Sequence, residues 1–196
     1  MQKLLRLVVI SVCLSFSTAA SAWTCMEDPE NFKLDHCRAP RAFRRAVRRR
    51  PELSMRRHKA AQVEMGRLDE ARAVNRRVNR SMIYTPEAVD DWLSGSDCDD
   101  YARQKLLDLL DRDFPRGALR LAMGRTPEGV YHLVLLVDAA DGQTLVLDNR
   151  NDHALPIEHS NVTFLLWQSP GTDLWQRAEA KPLDFGGVWA ASTGTR

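Results

Sequence analysis

A chain of 196 residues in which 44% of the side chains are hydrophobic can bury the core of one compact domain, and it is too short for two domains of ordinary size. Its formal net charge is +2, which falls to about zero without Lys3 and Arg6 at the N-terminus. A nearly neutral chain excludes recognition of a partner by net charge alone.

The first residues have the three parts of a secretory signal peptide. A basic start is followed by an apolar run over Leu7–Phe16, and the small residues at 20–22 suit a signal peptidase. A membrane anchor is the alternative, but the run is far shorter than the ~20 residues that a transmembrane helix needs. We expect residues 1–22 to be removed and residues 23–196 to form a single periplasmic domain without a membrane-spanning segment.

The cysteine count separates one thiol from the others. Cys13 would leave with the signal, and Cys25, Cys37 and Cys98 would remain. Cys25 and Cys37 lie close together, and in an oxidising compartment they are the natural pair for a disulfide. Cys98 would then be free, either as a buried structural residue or as a reactive one.

Arginine is concentrated in the segment CRAPRAFRRAVRRRPELSMRRHK, which begins at Cys37. Basic segments can bind nucleic acid, but an exported protein rarely meets any, and we expect no nucleic-acid partner. We favour a solvated helical face, with attraction to an acidic surface or partner as the alternative.

Apolar residues recur at helical spacing in the N-terminal half. They predict helices over residues 41–50 and 60–83, separated near Pro51, with Gly66 as the alternative start of the second helix. A short helix is predicted from Pro86 to Gly95.

The segment SDCDDYARQKLLDLLDRDF predicts the next helix. Ser96 or Asp97 is its N-cap, and acidic residues fill its first turn. Cys98 therefore lies at a helix N-terminus, where backbone N–H groups and the helix dipole lower the pKa of a thiol.

After Gly117 the pattern changes from helical to alternating. The segments LRLAM, GVYHLVLLVD, QTLVLDN and VTFLLWQ are rich in branched and aromatic residues and are separated by turn-forming clusters, which predicts antiparallel strands. N-terminal helices followed by an antiparallel sheet indicate an α+β domain.

The sequence DAADGQ predicts a hairpin between the second and third of these strands. A three-residue loop over 139–141, with Gly142 in the left-handed conformation, pairs Asp138 with Gly142 and places His132 opposite Asp148. Another loop length would move the register by one or two positions. We therefore predict only that the two side chains lie close together.

If the start of the Cys98 helix packs against this pair, the three residues can act as a thiol hydrolase. His132 would accept the thiol proton, Asp148 would orient the imidazole, and N–H groups of the helix start would stabilise an oxyanion. Each residue also has an ordinary explanation, as a small buried thiol, a core histidine or a strand end. Their combination favours the catalytic interpretation.

Five motifs, VNRRVNRSMIY, DDWL, SDCDDYARQK, YHLVLLV and LVLDN, occur in an order and spacing that resembles the bacterial transglutaminase-like cysteine proteinases, over about residues 68–175. The resemblance implies a papain-like fold and a catalytic triad at Cys98, His132 and Asp148. It also implies a protein substrate such as a surface adhesin, and an inhibitory receptor in the inner membrane.

Three carboxylates surround Cys98, and their negative charge opposes loss of the thiol proton. The resemblance implies that calcium binds through the acidic residues beside the catalytic cysteine, which here are Asp97, Asp99 and Asp100. Clustered carboxylate oxygens suit calcium, whose charge would offset the carboxylates. The alternative is that the acids only stabilise the helix start.

Three other functions are compatible with the sequence. The same triad can pass an acyl group to an amine rather than to water. A non-catalytic calcium-dependent binding module would keep the scaffold alone, and a structural envelope protein would use only the basic helix. The presence of Cys98, His132 and Asp148 together favours a cysteine endopeptidase.

Overall fold

The computed structural model describes residues 36–39, 41–86 and 95–178 of the chain. These residues form three α-helices, seven β-strands and four short 3-10 helices. The α-helices and strands are α1 (Arg41–Arg49), α2 (Leu68–Ser81), α3 (Cys98–Leu110), β1 (His36–Arg38), β2 (Leu119–Arg125), β3 (Tyr131–Asp138), β4 (Thr144–Leu147), β5 (Leu155–Pro156), β6 (Thr163–Gln168) and β7 (Leu174–Arg177).

The strands form one antiparallel sheet with the order β1-β7-β6-β2-β3-β4-β5. The three helices precede the central strands in the sequence, so the predicted α+β fold is confirmed. The four predicted segments correspond to β2, β3, β4 and β6, and the short strands β1, β5 and β7 extend the sheet at its edges.

Side chains alternate between the two faces of the sheet. On β3, Leu133, Leu135 and Val137 belong to the main hydrophobic core, which also contains side chains of all three helices. Val134 and Leu136 belong to a smaller apolar cluster on the opposite face. Both faces of β3 are covered, which explains why its sequence is apolar almost throughout.

The arginine-rich segment contains α1, and the described arginine side chains of this helix point away from the core. Arg44, Arg45 and Arg48 are exposed, whereas Phe43 is buried against Trp175 with the two rings nearly perpendicular and their centroids 5.8 Å apart. This arrangement agrees with the predicted solvated face. Trp175 itself is fully buried in the main core.

The predicted helix over residues 60–83 is too long, and the alternative start at Gly66 is close to the observed one. A 3-10 helix over Met65–Arg67 comes first, and α2 begins only at Leu68. Ahead of the 3-10 helix, Val63 forms a parallel bridge with Ala139. The N–H of Val63 donates to the carbonyl of Asp138 at 2.9 Å. This pairing with the β3–β4 turn replaces the helical conformation that the local apolar spacing favours.

The β3–β4 hairpin has a different register from the predicted one. Asp138 pairs with Thr144 rather than with Gly142, because the Ala139 N–H donates to the carbonyl of Gln143 at 2.8 Å. The three-residue loop therefore spans 140–142, one position later than predicted. Gly142 does have the predicted left-handed conformation, with φ 85°.

Three predictions concern residues outside the described ranges. They are the signal peptide over residues 1–22, the helix between Pro86 and Gly95, and the disulfide, since Cys25 is not described. Among the residues that are described, no helix has the length and apolar character required to cross a membrane.

Candidate active site

The helix α3 begins at Cys98 because Asp97 caps it. The Asp97 side chain accepts the N–H of Asp99 at 3.3 Å, and the Asp100 side chain accepts the N–H of Asp97 at 3.4 Å, which forms a reciprocal capping box. Cys98 is partly buried against the main core, and the backbone N–H of Leu133 on β3 lies close enough to lower the pKa of its thiol. The thiol is therefore held between the start of α3 and the start of β3.

His132 directly precedes Leu133 on β3, and it contacts Asp148 just beyond the end of β4. His132 Nε2 and Asp148 Oδ1 are 2.7 Å apart, and the same oxygen accepts the N–H of Arg150 at 2.8 Å. Because Nε2 faces the carboxylate, Nδ1 is the ring nitrogen that remains to accept a proton from another group. The structure brings the three residues predicted as a triad to one end of the sheet, each on a different element.

The pKa of the Cys98 thiol is raised rather than lowered. Burial, with added repulsion from the carboxylates of Asp97 and Asp99, raises this pKa to about 12, and the hydrogen bond from Leu133 acts in the opposite direction. The prediction that the helix N-terminus would give a low thiol pKa is therefore wrong, since desolvation and adjacent negative charge outweigh the helix dipole. The thiol needs a base to accept its proton, or a cation to offset the acids, before it can act as a nucleophile.

Asp148 is ionised at neutral pH. Burial raises its pKa, but the hydrogen bond and charge of His132, the N–H of Arg150 and the charge of Lys105 together outweigh burial, and the pKa lies below its ordinary value. An ionised carboxylate in this position can orient the imidazole and stabilise its protonated form.

Two asparagines on α2 hold the turn that follows Asp148. Asn79 Nδ2 donates to the carbonyl oxygens of Asp148 and Asn151 at 2.9 and 3.1 Å, and Asn75 Nδ2 donates to those of Asn151 and Asp152 at 2.8 and 3.1 Å. Their spacing of four residues places both on one face of the helix. Sequence reasoning missed both, because the carbonyl groups that they bind lie 76 and 69 residues away in the sequence.

The carboxylates of Asp97, Asp99 and Asp100 converge beside Cys98, with one oxygen of each within 4.8 Å of the others. Calcium binds oxygen at 2.3–2.6 Å, so two oxygens on one ion are at most about 5 Å apart, and the cluster fits such an ion. Burial raises the pKa of Asp100, and its Oδ1 also accepts a hydrogen bond from Arg103 at 2.6 Å. Asp100 therefore already has a partner of opposite charge without a cation.

Exposed apolar side chains flank the candidate site in the chain. Ile83 and Tyr84 lie between α2 and α3, and Val130 and Tyr131 lie at the start of β3. Tyr84 is close enough to the Cys98 thiol for the charge of a thiolate to add to the effect of burial in raising the phenol pKa. Of these side chains, Tyr84 is the one that lies near the candidate nucleophile, and an exposed aromatic side chain there suits contact with a polypeptide.

Comparison with known proteins gives one family and one fold. The sequence model of the bacterial transglutaminase-like cysteine proteinases matches residues 35–181. Among solved structures, calcium-bound LapG of Legionella pneumophila is 19% identical over 64% of this chain and 74% of that chain, with a TM-score of 0.50. A second structure of LapG from the same organism is 20% identical over 55% and 66%, with a TM-score of 0.47. No curated protein is a significant match. At these identities, the likeness to calcium-bound LapG shows a shared fold alone.

Proposed function

The chain belongs to the family of bacterial transglutaminase-like cysteine proteinases, and on this basis we propose that it is a cysteine endopeptidase with Cys98 as nucleophile, His132 as general base and Asp148 as orienting carboxylate. The observation that carries the proposal is the 2.7 Å contact between His132 Nε2 and Asp148 Oδ1. His132 is adjacent in the chain to Leu133, whose backbone N–H lowers the pKa of the Cys98 thiol.

In the proposed reaction, the proton of Cys98 Sγ passes to His132 Nδ1, and the thiolate attacks the scissile carbonyl carbon. The backbone N–H of Cys98 stabilises the oxyanion that forms, since those of Asp97 and Asp99 donate within the capping box. When the oxyanion collapses, the C–N bond breaks, His132 returns the proton to the leaving amine, and the acyl group stays on sulfur as a thioester. Water that gives a proton to His132 then attacks the thioester, releases the acid and restores the thiol, while Asp148 remains ionised throughout.

Calcium is the proposed cofactor, with Asp97 and Asp99 as its principal ligands and Asp100 as a further one. The convergence of the three carboxylates supports this assignment, and a structurally similar LapG is described as calcium-bound. A bound calcium ion would supply positive charge beside Cys98, and this charge favours the thiolate.

The proposed substrate is a protein outside the cytoplasm. The signal-like pattern of residues 1–22 supports export to the periplasm, and the exposed aromatic side chain of Tyr84 near the site suits a polypeptide. The family resemblance implies a surface adhesin as the candidate substrate and an inhibitory receptor in the inner membrane as the candidate partner.

The test is the rate at which iodoacetamide alkylates Cys98 near neutral pH, measured by peptide mass spectrometry with and without calcium. General-base catalysis contributes about 10²–10⁴-fold, so we expect labelling to fall at least about tenfold in His132→Ala and to fall on chelation. His159→Ala is the control, since His159 is exposed and makes no contact with Asp148. Slow labelling that is indifferent to His132 and to calcium would refute the proposal.

A further inference from the structure

A groove with a basic rim lies between α1 and the segment that follows this helix. Its volume is about 520 Å³, which is within the range of binding clefts in proteins. Asp173, just before β7, also lines it and accepts a hydrogen bond from Ser54 Oγ at 2.5 Å. Four exposed arginines form the rim, which are Arg44, Arg45, Arg48 and Arg56. We call this feature the arginine groove.

The charge of the four arginines is not balanced within the described part of the chain. None of their guanidinium groups forms an ion pair with a described carboxylate, whereas the neighbouring Arg50 pairs with Glu52 at 3.5 Å. Like charges held together on one surface repel each other. A carboxylate ligand would offset this repulsion, and the planar guanidinium group matches a carboxylate with two parallel hydrogen bonds.

The base of the arginine groove is apolar. Ala39 and Phe43 are buried there, and Val47 is half-buried. Phe43 packs edge-on against Trp175 of β7, which fixes the base to the main core. An extended polypeptide directs alternate side chains to opposite sides. Such a segment can place apolar side chains on the base and acidic side chains on the rim.

A lipid surface fits this shape less well than a polypeptide does. Proteins that lie on a bilayer insert the apolar side chains of an exposed face into it. In the arginine groove the apolar side chains lie at the base of a concave surface, and Phe43 is buried. The shape therefore favours a narrow ligand that enters the groove.

The arginine groove is remote from Cys98 and His132. It adjoins the edge of the sheet where β1 pairs with β7, and β7 is three strand positions away from β3. Neighbouring strands lie about 4.8 Å apart, so roughly 14 Å separates β7 from β3. The register also places Leu174 level with the second half of β3, whereas His132 lies near the start of that strand. A ligand in the groove would leave the candidate active site open.

We propose that the arginine groove is a docking site for an extended acidic segment of a partner protein. Carboxylates of the segment bind the arginines of the rim, and apolar side chains between them pack on Phe43 and Val47. The inference is independent of the proposed function, because it uses none of the residues of the candidate active site.

The test is the fluorescence anisotropy of a fluorescein-labelled peptide of about ten residues in which glutamate alternates with leucine. Arg44→Gln/Arg48→Gln removes two ion pairs, and we expect the affinity for this peptide to fall at least about tenfold. Arg49→Gln/Arg57→Gln is the matched control, since both arginines are exposed, lie outside the groove and carry the same charge. The control should lose no more than about threefold, because salt screens charges that do not contact the peptide.

Equal losses of affinity in the two double variants would overturn the inference, because general positive charge would then account for the binding. Failure of the wild-type protein to bind the peptide at millimolar concentration would overturn it as well. So would binding to vesicles of phosphatidylglycerol and phosphatidylcholine that requires Arg44 and Arg48 while the peptide is not bound.

The alkylation rate of Cys98 separates this inference from the proposed function. We expect Arg44→Gln/Arg48→Gln to keep the wild-type rate while it loses the peptide, which would show that the fold is intact and that the groove acts apart from the candidate active site. If alkylation does not depend on His132, the proposed function fails, and the peptide titration still decides the role of the arginine groove.

Discussion

Replacing Lys105 with methionine should raise the free energy of unfolding at pH 6, and the gain should disappear as the pH rises. Burial lowers the pKa of Lys105 from 10.5 in the unfolded chain to about 7 in the folded protein. Each unit of difference corresponds to about 1.4 kcal/mol. The difference of about 3.5 units therefore costs the folded wild-type protein roughly 5 kcal/mol when the amine is protonated in both states.

The pH dependence follows from which state binds the proton. Below pH 7 the amine is protonated in both states, so the whole cost is present. Between pH 7 and 10.5 the unfolded chain keeps the proton that the folded protein has released, and wild-type stability rises by about 1.4 kcal/mol per pH unit. Methionine binds no proton, so the advantage of the variant is largest below pH 7 and shrinks toward pH 10.5.

Urea unfolding followed by tryptophan fluorescence from pH 6 to pH 10 measures this difference. Lys59→Met controls for the loss of one charge and should leave the pH dependence of stability unchanged. Two results would refute the reasoning. One is a Lys105→Met variant that is less stable than wild type at pH 6. The other is a difference in free energy of unfolding between variant and wild type that is the same at pH 6 and pH 10.

Other substitutions test the metal site, the turn after β4 and the packing of the sheet. Asp99→Asn should weaken calcium binding at least about tenfold in titration calorimetry, whereas Asp111→Asn at the exposed end of the same helix should not. Asn79→Ala removes two hydrogen bonds to the turn and should lower the free energy of unfolding by about 1–2 kcal/mol; unchanged urea stability would contradict the contacts described. Gly124→Ala should lower the free energy of unfolding by about 1–3 kcal/mol, because a Cβ at this position would lie 2.5 Å from the carbonyl oxygen of Thr163 in β6. Gly66→Ala, where nothing lies within 4 Å, should be close to neutral.

The elements around Cys98 and His132 could be predicted because their signals are local. Asp97 caps α3 within one turn, and the run of apolar residues after His132 needs only strand periodicity. The hairpin register could not be fixed, since it depends on which residue opens the loop. The contact between His132 and Asp148 was predicted without a register, and it is present in the structure although each strand position is paired two residues away from the predicted one.

Lys105 and the two asparagines of α2 could not be identified in the same way. In the sequence, Lys105 reads as an ordinary polar residue in a helix, and Asn75 and Asn79 read as interruptions of an apolar stripe. Lys105 is in fact fully buried, and the asparagines gain their role from the turn at 148–152, 76 and 69 residues away, to which they donate hydrogen bonds. Roles of this kind depend on tertiary contacts, which periodicity does not reveal.

The pairing of β1 with β7 has a consequence for how the chain folds. His36 lies opposite Gln176, so the first described strand completes the sheet beside the last one. Contacts between distant parts of a chain close large loops before they contribute stability, and domains dominated by them fold slowly. During synthesis, β1 has no partner until nearly the whole domain has emerged, so the sheet cannot be completed before β7 is available. A chain shortened before residue 174 would leave β1 without its partner strand and Phe43 without Trp175, and we expect it to remain aggregation-prone rather than to form a smaller stable domain.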